Sequence, residues 1–270
     1  MKGKVVIITG ASSGIGKACA EAFGMAGAGV VIAARNKGNL NTVSAALRGR
    51  GVAVLAVQAD VSREEDCRML VQKTIAEFGK VDVLINNAGI SMRALFGSVQ
   101  LDVLKRLMDV NFWGTVYCTR YALPYLLEAK GSLVGMSSVA GKKGLPGRAG
   151  YSASKFAMEG FLETIRIENM KAGLHVMVVC PGFTASNIRN AALSGDGVPQ
   201  GESPLDESSV MQPEEVARMT LQGVRNRRRN MILSLKGKMI VFLSKFFPAF
   251  SDRLVYNHFL KEKDSPLKKG

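Results

Sequence analysis

The sequence has few of the residues on which many enzymes depend. Only two residues are histidine, His175 and His258, and this scarcity argues against histidine-based metal centres and Ser-His-Asp catalysis. The four cysteines lie 48, 51 and 62 residues apart, so no pair has the spacing of a metal-ligating or redox motif. We therefore expect no bound metal, and four reduced, mostly buried thiols in a reducing compartment.

A secretion signal and long apolar runs are also lacking. The chain begins MKGKVVIITG, without the charged, apolar and small-residue pattern of a signal peptide. The apolar run near its C-terminus is far shorter than the ~20 residues that a membrane-spanning helix needs. We therefore expect a cytoplasmic protein. With 47% apolar residues among 270, the chain can bury the core of one sizeable α/β domain.

Short apolar runs alternate with helix-like segments through most of the chain. The runs are nearly continuous in apolar residues, as in a parallel sheet with both faces covered. This repetition predicts a Rossmann-type α/β fold, a doubly wound parallel sheet whose ligands bind outside the carboxyl ends of the strands. The predicted strands are 5–9, 30–34, 52–57, 81–86, 132–137, 175–180 and, as a short seventh, 230–235.

A glycine-rich turn, TGASSGIG (9–16), follows the first predicted strand and opens a helix. Glycines permit a tight turn and let the backbone approach a pyrophosphate, which the N-terminus of the helix then stabilises. This strand-turn-helix context favours nucleotide binding over an ordinary loop. The candidate residues in the turn are Gly10, Ser12, Ser13, Gly14, Ile15 and Gly16.

The end of the second strand indicates the type of dinucleotide. NAD sites usually place an acid there, whereas an arginine accommodates the 2′-phosphate of NADP. The sequence from 33 to 37 reads AARNK, without an acid, so we expect NADPH in preference to NAD; the alternative is that Arg35 caps a solvated loop. The other candidate cofactor residues at strand ends are Asn36, Asp60, Val61, Asn87, Ala88 and Gly89.

Tyr151 and Lys155, in the stretch YSASK, lie four residues apart. On a helix they would share one face. A neighbouring ammonium favours the phenolate and lowers the pKa of a tyrosine, which could give a proton donor usable at neutral pH. By itself, the spacing fits two neighbours on a solvated helix equally well.

Six motifs, in order and in register, resemble the short-chain dehydrogenase/reductase family over roughly residues 3–224. They are TGASSGIG (9–16), NNAG (86–89), Asn111 in MDVNFWG, Ser138 in MSSVAG, YSASK (151–155) and Pro181-Gly182. The resemblance implies an NADP(H)-dependent oxidoreductase that interconverts a ketone and a secondary alcohol. It also implies a homodimer or homotetramer built from helices near 101–129 and 151–173.

The resemblance also implies roles for single residues. Tyr151 would protonate the substrate carbonyl, Lys155 would lower the pKa of Tyr151 and hold the nicotinamide ribose, and Ser138 would polarise the carbonyl, with Ser137 as the competing serine. Asn111 would support a relay water beside Lys155. The segment that passes the nicotinamide would contain Pro181, Gly182, Thr184 and Ser186.

The residues around the substrate cleft do not identify one substrate. In this family the Gly/Ser/Pro-rich region at about 184–212 forms a lid, and Ser91, Met92 and Arg93 would face the same cleft. We expect few charges there, which suits a lipophilic ketone or alcohol. Two alternatives stay open, an NAD(P)⁺-dependent alcohol dehydrogenase and a non-catalytic NADP-binding sensor or scaffold.

The C-terminal part of the chain is basic and amphipathic. From Arg225 to the end there are twelve Lys and Arg against three Asp and Glu. On a helical wheel of 239–247, the apolar face contains Met239, Phe242, Leu243, Phe246 and Phe247. We predict a catalytic domain over 1–236 and a basic amphipathic extension over 237–270.

Three functions compete for this extension. It could bind an anionic membrane surface through 237–262, at the inner face of a membrane; it could pack on a partner subunit, or cover the protein's own cleft. The arginine run at 225–229 alone does not favour nucleic acid. The tail, with 141–155 and 186–192, is similar to the "member 7B" type of dehydrogenase/reductase, a group associated with membranes and lipophilic ketones.

Overall fold

A computed structural model describes residues 1–201, 210–262 and 264–268. Its centre is one sheet of seven parallel strands in the order β3-β2-β1-β4-β5-β6-β7, which confirms the Rossmann-type prediction. The strands are β1 (Val5–Thr9), β2 (Gly29–Ala34), β3 (Val54–Gln58), β4 (Val83–Asn86), β5 (Ser132–Met136), β6 (His175–Cys180) and β7 (Asn230–Ile232).

The helices cover both faces of the sheet. Neighbouring residues of each strand enter opposite cores, as Val6 and Ile7 of β1 do, so nearly every strand residue must be apolar. One face is covered by α1 (Gly14–Met25), α2 (Lys37–Gly49) and α7 (Pro213–Arg225), and the other by α3 (Glu64–Phe78), α5 (Gly114–Glu128) and α6 (Ala149–Glu168). All four cysteines are buried and unpaired, which confirms that prediction.

The strand order reverses between β1 and β4, because the chain winds outward from β1 in both directions. The loops on either side of this switch point diverge and leave a crevice at the carboxyl ends of the strands. The glycine-rich turn after β1 and the NNAG segment after β4 meet there. A helix α4 (Leu101–Met108) and a π-helical turn (Asp109–Trp113) complete the walls on the β4 side.

The seventh strand is shorter than predicted. It ends at Ile232 instead of 235, because the Ser234 side chain accepts a hydrogen bond from the Gly237 backbone N–H (3.1 Å) and starts a helix at Leu235. The predicted boundary after residue 236 therefore falls inside a helix.

Two helices follow β7, in place of the single amphipathic helix considered from the sequence. They are α8 (Leu235–Phe246) and α9 (Pro248–Leu260), and Pro248 occupies the first turn of α9, where a missing N–H costs nothing. Ser251, Val255 and Phe259, spaced four apart on α9, are buried against the catalytic domain. No helix within the described ranges is long and apolar enough to cross a membrane.

Candidate active site

A cleft of about 630 Å³ lies at the switch point. Its lining brings together residues from the ends of β1, β2, β3 and β4 that are far apart in sequence. The predicted cofactor residues that line it are Gly10, Ser12, Ser13, Gly14, Ile15, Arg35, Asn36, Asp60, Val61, Asn87, Ala88, Gly89 and Ser186. The cleft thus collects nearly all of the residues predicted for the cofactor.

The glycines of the turn are required by its geometry. Gly10 and Gly14 have φ values of +65° and +51°, in the left-handed region that favours glycine. A Cβ on Gly10 would lie 2.8 Å from the Cα of Ala88, and one on Gly16 would lie 2.3 Å from the carbonyl oxygen of Gly10. The sequence analysis predicted that Gly16 lines the cleft, but it does not. Gly16 instead allows α1 to pack directly beneath the turn.

Asn87 fixes this turn against the end of β4. Its Nδ2 donates to the carbonyl oxygens of Thr9 (2.9 Å) and Gly10 (3.2 Å). The hydroxyl of Thr9 in turn accepts from the backbone N–H groups of Asn87 and Ala88, both at 3.0 Å. Asn87 is thus a cleft residue that also holds the cleft in shape, and Thr9 is a supporting residue that the sequence analysis did not single out.

Three polar side chains mark the far end of the cleft. Asn36 caps α2 by accepting from the backbone N–H of Asn39 (2.9 Å), and Asp60 accepts from the backbone N–H and the hydroxyl of Ser62 (3.0 and 2.7 Å). Arg35 is exposed at the end of β2 and lines the same wall. The glycine cradle, the N-terminus of α1 and this cation fit an extended dinucleotide phosphate.

A second, smaller pocket of about 150 Å³ adjoins the cleft and shares Ile15, Asn87, Gly89, Ser186 and Ile188 with it. Here the structure brings together the residues predicted for the chemistry and for the nicotinamide. They are Ser138, Tyr151, Lys155, Pro181, Gly182, Thr184 and Ser186. The two cavities together therefore form one site with a nucleotide end and a reactive end.

Lys155 lies one helical turn after Tyr151 in α6, as predicted, and is 3% exposed. Its Nζ donates to the carbonyl oxygen of Met136 at 2.9 Å and lies 5.8 Å from the centroid of the Tyr151 ring. Burial lowers the pKa of Lys155 to about 8, because the charged ammonium loses its hydration. With this pKa, the Lys155 side chain can both hold and release a proton near neutral pH.

The pKa of Tyr151 differs from the expectation. Burial of the phenol raises it, while a hydrogen bond with Ser138 and the positive charge of Arg148 act in the opposite direction. Arg148 is thus a cation that favours the phenolate in this structure, and the sequence analysis did not identify it.

The two adjacent serines after β5 have different partners. Ser137 also lines the pocket, but its hydroxyl donates to the carboxylate of Glu159 at 2.6 Å. Ser138 caps the short turn Val139–Gly141 by accepting from the N–H of Ala140 (3.2 Å), and it lines the pocket together with Tyr151. The hydroxyl of Ser137 is thus already donated to Glu159, whereas Ser138 lines the pocket without such a carboxylate partner among the described residues.

Asn111 is fully buried in the π-helical turn between α4 and α5. Its Oδ1 accepts from the N–H of Ile90 (2.8 Å), and its Nδ2 donates to the carbonyl oxygen of Ile90 (2.9 Å) and to Ser154 (2.9 Å). A Cβ on Gly89 would contact both Asn111 and the Nζ of Lys155. The absence of a side chain at Gly89 thus lets the asparagine and the lysine lie next to each other. The π-helical turn that contains Asn111 is an irregularity of a kind common at functional sites.

Only the first residues of the predicted lid line the pocket, among the residues that the structure describes. Thr184, Ser186, Ile188 and Arg189 line the pocket, and Arg189 donates to the carbonyl oxygen of Thr184 at 2.6 Å. Within the predicted lid at about 184–212, only residues 202–209 lie outside the described residues. Of the three residues expected in the cleft, Ser91 lines the pocket, but Met92 is packed in a separate buried cluster and Arg93 pairs with Glu262.

The C-terminal segment contributes to the pocket, which the motifs did not predict. Phe259 of α9 lines it, and His258 stacks on the lining residue Phe183 with ring centroids 6.2 Å apart. Arg148, just before α6, also lines it. Since Arg148, Lys155 and Arg189 all face the pocket, the expectation of few charges is wrong: the loop before α6 and the lid each add a cation.

Comparison with known proteins identifies the family of this chain. The short chain dehydrogenase family matches residues 4–196. The 11-beta-hydroxysteroid dehydrogenase 1A of Arabidopsis thaliana is 43% identical over 72% of the chain, and the chain spans 56% of that relative's length. The dehydrogenase/reductase SDR family member 7B of Mus musculus is 32% identical over 98% of the chain and 84% of its own length.

Two solved structures are similar in fold. A short-chain dehydrogenase/reductase from Burkholderia phymatum, in complex with NAD, has a TM-score of 0.80 and 27% identity over 90% of this chain and 93% of its own. An alcohol dehydrogenase from the archaeon Thermococcus sibiricus, complexed with 5-hydroxy-NADP, has a TM-score of 0.74 and 27% identity over 85% and 95%. With the motifs in register on a seven-stranded parallel sheet, the chain belongs to the short-chain dehydrogenase/reductase family.

Proposed function

We propose that this protein is an NADP(H)-dependent oxidoreductase that interconverts a ketone and a secondary alcohol. The observation that carries the proposal is the meeting of Ser138, Tyr151 and Lys155 in one pocket that opens into a dinucleotide-sized cleft. A sensor of NADP would need the cleft but would have no use for a buried proton donor beside it.

The residues of the pocket divide the proton chemistry among them. The hydroxyl of Ser138 is placed to hydrogen-bond a carbonyl oxygen and polarise it, and the Tyr151 hydroxyl beside it gives that oxygen a proton. Bound NADPH supplies the hydride. Lys155, with its lowered pKa and its neighbour Asn111, replaces the proton of Tyr151 through a relay.

The preference for NADPH over NADH rests on the end of β2. Arg35 is exposed on the cleft wall, and the residues from Ala33 to Lys37 include no acid that would hold a ribose 2′-hydroxyl and repel a phosphate. Ser12 and Ser13 line the same cleft and offer hydroxyls. A planar guanidinium binds a phosphate in two places at once, so Arg35 would discriminate strongly between the two cofactors.

A lipophilic substrate is favoured by the apolar part of the pocket. Leu145, Phe183, Ile188 and Phe259 line it together with the reacting groups. The named relatives include hydroxysteroid dehydrogenases, whose names describe bulky apolar alcohols. We propose that the apolar body of the substrate packs on this aromatic and aliphatic wall.

Binding to an anionic membrane surface is proposed for the outer face of α8 and α9. Four phenylalanines within nine residues are each more than half exposed, namely Phe242, Phe246, Phe247 and Phe250. Exposed apolar clusters of this kind mark surfaces that bind a membrane or another protein. Lys236, Lys238, Lys245 and Arg253 are exposed on the same two helices. Aromatic side chains beside lysines and an arginine are typical of surfaces that enter the lipid interface.

Self-association is proposed for a different surface. Trp113, Phe156 and Ile167, on and next to the helices predicted to build the oligomer, are each more than 40% exposed. A homodimer or homotetramer would cover them. This surface is separate in sequence from the aromatic face of α8 and α9, so oligomerisation and membrane binding can be tested independently.

The proposed function is tested by NADPH consumption at neutral pH over linear methyl ketones, from butanone to dodecan-2-one, in mild detergent. We expect kcat/KM to rise by up to about fourfold per added methylene until the apolar wall is filled, since burial of a methylene contributes about 0.8 kcal/mol. Turnover of only the shortest ketones would contradict the proposal that the substrate is lipophilic. NADPH binding without any turnover would favour the non-catalytic sensor.

A further inference from the structure

A groove of about 480 Å³ lies between the helix α9 and the loop that precedes α6. Most of its lining is apolar or small, and these residues are Leu145, Pro146, Ala149, Ser152, Val255 and Tyr256. Asp252 is the one charged residue among the described residues that line it, and its carboxylate is 68% exposed and paired with Lys143. The groove therefore offers a mostly apolar surface that the function proposed above does not use.

The groove adjoins the reactive pocket. Leu145 lines both cavities. Val255 lines the groove, and Phe259, one turn later on the same face of α9, lines the pocket. Asp252 and Tyr256, which also line the groove, share this face, and the helix rises about 10 Å from Asp252 to Phe259. One face of α9 is thus a wall common to the groove and the pocket.

The reactive pocket alone is small for a lipophilic substrate. Its volume is about 150 Å³, whereas sites for small molecules typically measure about 300–1,000 Å³. The nicotinamide would take part of that volume, because Pro181, Gly182 and Thr184, which are predicted to lie along that ring, line the same pocket. The apolar body of the substrate therefore needs more room than the pocket provides, and the groove next to it provides that room.

We propose that the groove binds the apolar tail of the substrate, an unbranched alkyl chain that runs from the carbonyl at Tyr151 past Leu145 and along α9 toward Tyr256. A flexible chain suits two cavities that meet at one side chain, since it can bend around Leu145, whereas a rigid fused-ring body cannot. The inference rests on the proposed function for the reacting carbonyl, and it adds the class of substrate and the site of its tail.

The junction between the two cavities can widen without unfolding the loop. The backbone N–H of Leu145 donates to the hydroxyl of Ser152 (3.3 Å), and its carbonyl oxygen accepts from the N–H of Arg148 (3.1 Å). These two hydrogen bonds tie the backbone of Leu145 to the start of α6. A rotation of the Leu145 side chain alone is therefore sufficient to admit an alkyl chain.

Two substitutions fill the groove from the side of the loop. Ala149 is exposed at the first residue of α6, so the ring of Ala149→Phe can occupy the groove without displacing a core side chain. A Cβ on Gly144, another lining residue, would meet no atom within 4 Å, so Gly144→Leu adds a side chain there as well. Ala46→Phe, at an exposed position of α2 on the other face of the sheet, is the matched control.

The readout is kcat/KM for NADPH-dependent reduction of butanone and of dodecan-2-one. The ketones are delivered from cyclodextrin, because the alkyl chain of a detergent would compete for the groove. Both groove variants should lower kcat/KM for dodecan-2-one at least about tenfold, the loss expected when about two methylenes stay in water, and should leave butanone and the control unchanged. Either groove variant carries the test if the other does not fold. An unchanged value for dodecan-2-one, or equal losses for the two ketones, would overturn the proposal.

A binding measurement keeps this inference distinct from the reductase itself. Thermal unfolding with NADP⁺ is followed in the presence of dodecan-2-ol, which should raise Tm in the wild type and in Ala46→Phe more than in the two groove variants. If that difference is seen and no ketone is reduced, the alkyl site stands and the proposed reaction fails. If ketones are reduced but dodecan-2-ol raises Tm equally in all four proteins, the reductase stands and the alkyl site fails.

Discussion

Lys155 is buried more completely than the other lysines of the described chain, and its burial decides how it acts. Its ammonium has one hydrogen-bond partner, the carbonyl oxygen of Met136, and an exposure of 3%. The pKa is lowered from 10.5 to about 8, so the proton is held loosely enough to be passed on near neutral pH. The sequence predicted the position of this lysine but not its burial, which depends on β5 and the loop after β4.

The pH dependence of reduction should report this proton. We expect kcat/KM to be level near neutral pH and to fall about tenfold per unit above a pH of about 8, where Lys155 loses its charge. A profile recorded from roughly pH 6 to 10, with NADPH at saturation, measures it. A level profile to pH 10 would contradict the assignment of Lys155 to the proton relay.

The same pKa shift has a consequence for stability. Because the pKa in the folded state is below that of an unfolded lysine, the unfolded chain binds the proton more tightly between about pH 8 and 10.5. The loss of folding stability caused by burying the charged Lys155 is therefore greatest below about pH 8, and it becomes smaller as the pH rises toward 10.5. A functional group held at a cost to stability is typical of active sites.

Arg35 decides the choice of cofactor in this account. In Arg35→Ala, the Kd for NADPH should rise at least about tenfold, the loss expected for a charge-assisted bond to phosphate, while the Kd for NADH changes little. Quenching of intrinsic fluorescence on titration measures both. Arg50→Ala removes an exposed arginine at the end of α2 as a control. Equal losses for the two cofactors would show that Arg35 does not contact the 2′-phosphate.

The helices α8 and α9 have two different faces. Ser251, Val255 and Phe259 pack inward at intervals of four, as one stripe of a helix does. Phe242, Phe246 and Phe250 point outward at the same interval. The outward face could be recognised from the sequence because it is aromatic, but the inward stripe could not be assigned to the cleft, since nothing in its spacing says what it packs against.

The outward face should control attachment to lipid. Replacing Phe242, Phe246 and Phe250 by Ser should lower binding to anionic vesicles at least about tenfold, since each buried phenylalanine contributes roughly 1.5–3 kcal/mol. Co-sedimentation at low salt measures it. Substitution is preferable to removal of 237–270, which would also delete Phe259 from the pocket lining and Glu262 from its ion pairs with Arg93 and Arg148.

Two comparisons complete that experiment. Met25→Ser with Phe96→Ser removes exposed apolar side chains elsewhere on the surface and should leave vesicle binding as it is. Reduction of a short, water-soluble ketone should continue in the triple variant because its substitutions avoid the pocket lining. Undiminished vesicle binding by the triple variant would assign the aromatic face to subunit packing.

At the scale of the whole molecule, the apolar runs and motifs of the sequence predict the sheet well but only part of the site. Continuous apolar runs identify all seven strands, because strands buried on both faces admit little else. The motifs at strand ends converge because parallel strands end at one edge. Arg148, Phe259 and Glu262 could not be found this way, since they become neighbours only when α9 folds back over the loop before α6.

The central claim is that Tyr151 is the proton donor of an NADPH-dependent reduction. The most direct test is the rate of NADPH oxidation in a single turnover with a long-chain methyl ketone, in Tyr151→Phe and in Tyr121→Phe. The control removes a hydroxyl that bonds to Glu64 at the surface. We expect a rate lowered by about 10² to 10⁴ in Tyr151→Phe with NADPH binding retained, and a normal rate in Tyr121→Phe. A Tyr151→Phe enzyme that reduces the ketone at the wild-type rate would contradict it.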